Sequence, residues 1–149
     1  MNRVVLLVLF LFLASCARKD FVVEEIQFSF GKNNAQPNLV SNGDNLTLSW
    51  ISSEEEDKEA ILFYSQYEDN KWKEPISIAS GSDWFVNWAD FPANAISEDL
   101  LLTSYLKKSD SGTYTYDVLL NLETLSGKKI KENFLLHTDG VKAEHGFVS

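Results

Sequence analysis

Arginine is nearly missing from this 149-residue chain: Arg3 and Arg18 are the only two. Cysteine occurs once, as Cys16, so no disulfide can close within the chain. The two histidines, His137 and His145, would need carboxylate help to hold a metal, and no metal-ligand spacing surrounds them. Neither a metal nor a cofactor is therefore expected. Positive charge is scarce overall, with 13 Lys and Arg against 22 Asp and Glu and a formal net charge of −9. Such a chain repels phosphate backbones and anionic lipid headgroups, which disfavours nucleic-acid partners and electrostatic adhesion to membranes. No stretch after residue 20 keeps a 3.6-residue apolar period over three turns, so no amphipathic helix is predicted. The longest apolar run, Val4 to Leu13, has ten residues, too few for the roughly 20 that cross a bilayer as a helix.

What the chain does have is apolar and aromatic side chains, 44 % and 13 % of its residues. That suffices for one packed domain and favours strands. Phe21 to Phe30 places Ile26, Phe28 and Phe30 on one face of a predicted strand. Further strands are predicted at Leu46–Trp50, Ala60–Tyr67, Ile76–Ile78, Leu100–Leu106, Tyr114–Leu122 and Ile130–Leu136. Turn chemistry separates them at Gly31–Asn34, Asn42–Asp44, Glu68–Lys71, Ser109–Gly112 and Ser126–Gly127. Short strands with frequent turns mean a sandwich, a barrel or a propeller.

An internal repeat favours the last. Pro37 to Trp50 aligns with Pro92 to Tyr105 at an offset of 55, sharing the proline, the apolar positions and the final aromatic. Lys71–Ile76 lies opposite Lys129–Phe134 at offset 58, and Phe91 pairs with Phe147 at 56. A unit of this length holding about four strands has the size of a propeller blade. The expected fold is all-β: about two four-stranded antiparallel propeller-type blades (units 37–91 and 92–149) within a domain spanning 21–149, preceded by an N-terminal signal helix. The competing fold is a small β-sandwich in which the repeat is only an echo.

The N-terminus has the parts of an export signal: Arg3, the apolar run, then Leu13-Ala14-Ser15-Cys16. The last four residues resemble the lipobox of bacterial lipoproteins. The resemblance implies cleavage after residue 15, a diacylglyceryl group on the Cys16 sulfur, and a tether over 16–20. With each buried CH₂ worth about 0.8 kcal/mol, more than one acyl chain gives lasting attachment. Ala17 rather than aspartate follows the cysteine, which by the usual sorting rule implies the outer membrane. The expected location is the cell envelope, with a lipid anchor to the membrane.

Asp83-Trp84-Phe85-Val86-Asn87-Trp88-Ala89-Asp90-Phe91-Pro92, Tyr114–Val118 and Glu144–Ser149 resemble segments of sialidase-like propellers with neuraminidase repeats, in a bacterial exo-sialidase-like branch. The resemblance runs from about Pro37 to Ser149. Two departures stand out. The family's Asp-box turn keeps only Ser65 and Trp72 in the first unit and Gly127 in the second. The family's three-arginine carboxylate clamp has no residues here, because the only arginine left after the signal is Arg18, in the tether. Lysine does not offer the same bidentate fork. The chain ends where a third unit would start, so it reads as the N-terminal part of a longer propeller ancestor, truncated or completed by another chain or by oligomerisation. The functional expectation is a non-catalytic, anchored glycan- or protein-binding domain; the alternative is a fragment of an exo-sialidase-like glycoside hydrolase.

Candidate ligand-binding residues are Asp83, Trp84, Trp88 and Asp90. Indole faces beside carboxylates and amides suit a sugar, which stacks its apolar face and satisfies its hydroxyls. The competing reading packs both indoles between blades and uses Asp90 to lock a turn. Asp83 and Asp90 could also form an acid–base pair, although turn aspartates are common. His145 is a candidate by family resemblance alone. The acidic run Glu54–Asp57 lacks the spaced ligands and glycine of a calcium loop and reads as a solvated hairpin tip. The anchoring argument predicts that Cys16→Ser moves the protein from the membrane fraction to the soluble one; retention after a carbonate wash would contradict it.

Overall fold

The computed structural model describes residues 21–43, 45–54, 59–84, 86–87 and 90–142. The expected signal helix, Cys16 and the tether lie outside these residues. The described residues contain strands and loops and no helix. They form two antiparallel sheets, five strands followed by four. The first holds β1 (Ala35–Asn42), β2 (Asn45–Ser53), β3 (Ala60–Glu68), β4 (Lys71–Trp72) and β5 (Ile76–Gly81). The second holds β6 (Ala93–Ser97), β7 (Leu100–Lys108), β8 (Tyr116–Thr124) and β9 (Lys129–Leu135).

Each sheet is a meander in which sequential strands pair, because the turns between them are short. Asp69 and Asn70 both take positive φ, 52° and 61°, the conformation of a two-residue hairpin turn. The first sheet has a fifth strand because its outer strand is split. β4 and β5 both pair with β3, and the gap between them contains Pro75, which has no N–H for the ladder. Across this gap Ser65 Oγ donates to Lys73 O at 2.6 Å and keeps the segment attached.

Three details depart from the sequence expectation. β1 and β6 are strands without a strong alternating signal; β1 carries Pro37, allowed because β1 is an edge strand, and an irregular register between Ala35 and Asn38. Phe21 to Phe30 is not a strand. It has no partner strand, yet its facing residues do share a side. Phe28 and Phe30 both pack on Trp50, at ring separations of 4.8 and 6.4 Å, and Ser52 Oγ donates to Lys32 O at 2.8 Å. The segment is a strap across one face of the first sheet.

The sheets repeat in length and in facing. β2 and β7 are nine residues each, starting at 45 and 100; β3 and β8 are nine each, starting at 60 and 116. On the first sheet, Ile51, Leu62, Tyr64 and Ile78 face the second, where they meet Leu101, Tyr105 and Leu119. Trp50 and Phe63 point the other way, stacked on each other at 5.8 Å beneath the strap. Trp50 and Tyr105 are 55 residues apart and repeat-equivalent, and each faces the element that precedes its own sheet. Ile51 and Leu106 are equivalent as well, and each faces away from that element: Ile51 into the seam, Leu106 into a second cluster with Tyr116 and Val118. The two sheets therefore stack front to back, like successive members of a series.

Polar groups pin the seam. Asn94, held by Thr103 Oγ1 at 2.7 Å, donates to Ser49 Oγ and to Asn38 Oδ1. Asn121 Nδ2 donates to Ile78 O at 3.1 Å. Glu123, 1 % exposed, sits 2.8 Å from Lys129 Nζ, which also donates to Ser77 O and Ile78 O across the seam. Removing the lysine alone would strand a buried carboxylate, a loss of about 3–5 kcal/mol for buried pairs in general. The Tyr64 hydroxyl donates to the Thr124 and Leu125 carbonyls at 3.2 Å each. Burial, and after it the Glu123 charge, raises the Tyr64 phenol well above its ordinary value.

A phenol whose folded pKa is raised adds stability below the unfolded value of about 10 and loses it as pH climbs towards the folded one. Tyr64→Phe is expected to cost about 1 kcal/mol at neutral pH through the lost hydrogen bond. It should also flatten the fall in stability above pH 10. Urea titrations at pH 7, 10 and 11 check this, and an unchanged alkaline slope would refute it.

Candidate functional site

The loop after β5 carries the residues singled out from the sequence, and the structure divides them. Asp83 is exposed; its carboxylate lies 3.4 Å from Lys107 Nζ, and its carbonyl accepts from Lys108 N at 2.8 Å. Trp84 forms an isolated antiparallel bridge with Lys107. These contacts dock the loop on the end of β7, so the connection between the sheets is itself tied to the second sheet. Trp88 and His145 lie outside the described residues.

Trp84 is half-buried. Its ring centroid is 5.5 Å from that of Tyr105, tilted 48°, and it packs against the seam core. The indole lies so close over Gly81 that a Cβ there would come within 2.5 Å of Nε1. Burial pushes the Tyr105 phenol up to about 12, with the Glu132 and Asp83 carboxylates adding to the effect, and its hydroxyl donates to Asn133 Oδ1.

The exposed part of Trp84 forms one wall of a cleft of about 230 Å³. Ala35 and Gln36 of β1, Ile51 of β2 and Ala60 of β3 line it, together with Gly81, Ser82 and Val86. Gln36 stands at φ 53°, so its backbone is held in a conformation rare for a side chain of its kind. The lining is mostly apolar, with an amide and a hydroxyl placed beside an indole. That combination suits a ring with one apolar face and peripheral hydroxyls.

Asp90 is not among the cleft-lining residues. It is 7 % exposed, and its Oδ2 accepts from Asn87 Nδ2 at 2.6 Å, while Asn87 Oδ1 accepts from Asp90 N and Asn87 N donates to Asp90 O. This reciprocal pair closes a turn. Asp83 and Asp90 are thus committed to different partners, Lys107 and Asn87. His137 lies between two carboxylates, 3.5 Å from Asp117 and 3.3 Å from Asp139. Among the described residues no group of three or more His, Cys, Asp or Glu side chains is arranged to hold a metal ion.

Reading along the sequence picked out Trp84 but missed Gln36, Ala60 and Ser82. Ser82 is two residues from Trp84, but Gln36 and Ala60 bear no simple spacing to it; residues of β1, β2, β3 and β5 and the loop after β5 meet there only in the folded chain. No protein-family model, curated protein or solved structure matches this chain.

Gly81→Ala tests how closely the indole is seated. The added methyl must displace Trp84, and overpacking of this kind costs about 1–3 kcal/mol. A lowered urea midpoint with changed tryptophan fluorescence is expected; wild-type stability would mean the indole is loosely held.

Proposed function

We propose that this chain is an envelope lipoprotein, anchored to the outer membrane through acylated Cys16, whose sialidase-like propeller domain binds a glycan without cleaving it. The cleft beside Trp84 carries the binding half of this reading. It offers an aromatic wall, a hydroxyl at Ser82 and an amide at Gln36, and it lies where strand ends and a loop converge. Stacking on an indole with hydrogen bonds around the rim is the ordinary physical basis of sugar recognition by aromatic residues.

Front-to-back stacking supports the propeller assignment over the sandwich. Consecutive propeller blades present the same face to the blade before and the opposite face to the blade after. In a sandwich closed on a two-sheet core, equivalent positions of an internal repeat would both point inward. Here Trp50 and Tyr105 lie on the front of their sheets, and Ile51 and Leu106 on the back. The edge strands β1 and β6 lie side by side, joined through Asn38 and Asn94, as inner strands of neighbouring blades do.

The non-catalytic half rests on chemistry. Asp83 and Asp90 are engaged with Lys107 and Asn87, and a three-arginine clamp cannot be drawn from Arg3 and Arg18. Calorimetric titration with a panel of neutral and acidic oligosaccharides tests the proposal. Saturable binding is expected for at least one, weakened about tenfold or more by Trp84→Phe, with no release of fluorophore from a fluorogenic sialoside. Binding unaffected by Trp84→Phe would remove the cleft from the proposal. Sialoside turnover lost on Asp90→Ala would replace it with the hydrolase reading.

A further inference from the structure

The front-to-back stack has two ends, and each exposes apolar side chains; at the far end these lie around Leu102, since Leu106, Val118 and Leu120 on the same face are buried. Thr47 and Leu102 are repeat equivalents, 55 residues apart. Thr47 is wholly buried in the seam, whereas Leu102, on the far side of the second sheet, is 36 % exposed. Ala95 and Leu122 flank it in register, with Lys131 next to Leu122; Ala95 and Lys131 are exposed. End units of stacked-repeat proteins need a polar outer face. Here the change runs the other way, from threonine in the covered position to leucine in the open one.

The opposite end is the strap. Phe28 and Phe30 hold it on Trp50, and its leading part exposes Phe21, Val22 and Val23 at 95, 80 and 93 %, with Ile26 at 44 %. Glu24 and Glu25 stand exposed among them. One end thus combines apolar side chains with two carboxylates, and the other combines them with the Lys131 ammonium.

We propose that copies of this chain associate head to tail, the strap of one seated on the Leu102 stripe of the next. The internal seam already shows the second sheet's front covering the back of the first. The charge placement favours the same polarity between copies. Strap-to-strap pairing would bring four carboxylates together in a chain of net charge −9, and stripe-to-stripe pairing would bring two Lys131 side chains together. The contact is heterologous, so it closes into a ring or continues as a filament. It rests on the observed stacking and on neither the glycan nor the anchor reading.

The test is sedimentation velocity of the full chain in detergent over a roughly hundredfold dilution series. Leu102→Lys disables one end and Val22→Glu with Val23→Glu the other; all three positions are exposed, and a wild-type circular dichroism spectrum confirms the fold. The wild type is expected to associate with concentration, and each variant alone to do so about tenfold or more weakly. An equal mixture of the two variants, with one good end each, is expected to stop at dimers. A wild type that stays monomeric throughout would overturn the proposal. So would association lost in Leu102→Lys but untouched by the strap variant, which indicates stripe-to-stripe pairing. Association unchanged in both variants would also overturn it.

Discussion

A β-sheet with apolar side chains on both faces is not stable as a single layer in water, and both sheets of this chain are of that kind. Fully burying one leucine-sized side chain is worth about 1.5–3 kcal/mol, so the faces dictate the arrangement. The back of the first sheet is covered by the front of the second, around Ile51, Leu62, Tyr64 and Tyr105. The front of the first sheet has no sheet before it and is covered instead by a strap whose two phenylalanines pack on Trp50. Strand pairing sets up each layer; face burial is what makes the layers depend on one another.

Apolar burial alone would let the sheets slide, because it has no direction. The polar groups in the seam remove that freedom. Asn94 reaches both Asn38 and Ser49 of the other sheet, Tyr64 donates to the β8–β9 turn, and Lys129 forms an ion pair with Glu123 while bonding to two carbonyls of β5. Each of these groups would be costly if left unpaired in the seam. The register between sheets is therefore specified by hydrogen bonds, and its depth by hydrocarbon.

The connection between the sheets inherits its shape from this packing. Asp83 and Trp84 bind the end of β7, and Gly81 leaves room for the indole to approach the backbone closely. The indole is then shared: part of it completes the seam against Tyr105, and part forms the cleft wall. One ring thus serves as a core residue on one side and a cleft wall on the other.

The local chemistry of the chain was enough to determine that it is all-β, where most of its turns fall, and that it is built twice over. Alternation, positive-φ turn residues such as Asp69 and Gly127, and the Pro37/Pro92 spacing are local properties, readable without knowing what touches what. β1 and β6 escaped because Pro37 and their half-exposed residues blur the alternation, and Phe21–Phe30 misled because alternation marks facing but does not supply a partner strand. The direction in which the two sheets stack, the burial of Glu123 beside Lys129, and the meeting of Gln36, Ala60 and Ser82 with Trp84 were decided only by tertiary structure. The stacking and the meeting of Gln36 and Ala60 with Trp84 join residues tens of positions apart. Glu123 and Lys129 are buried together by the other sheet rather than by their six-residue spacing, and nothing local to these residues encodes either outcome.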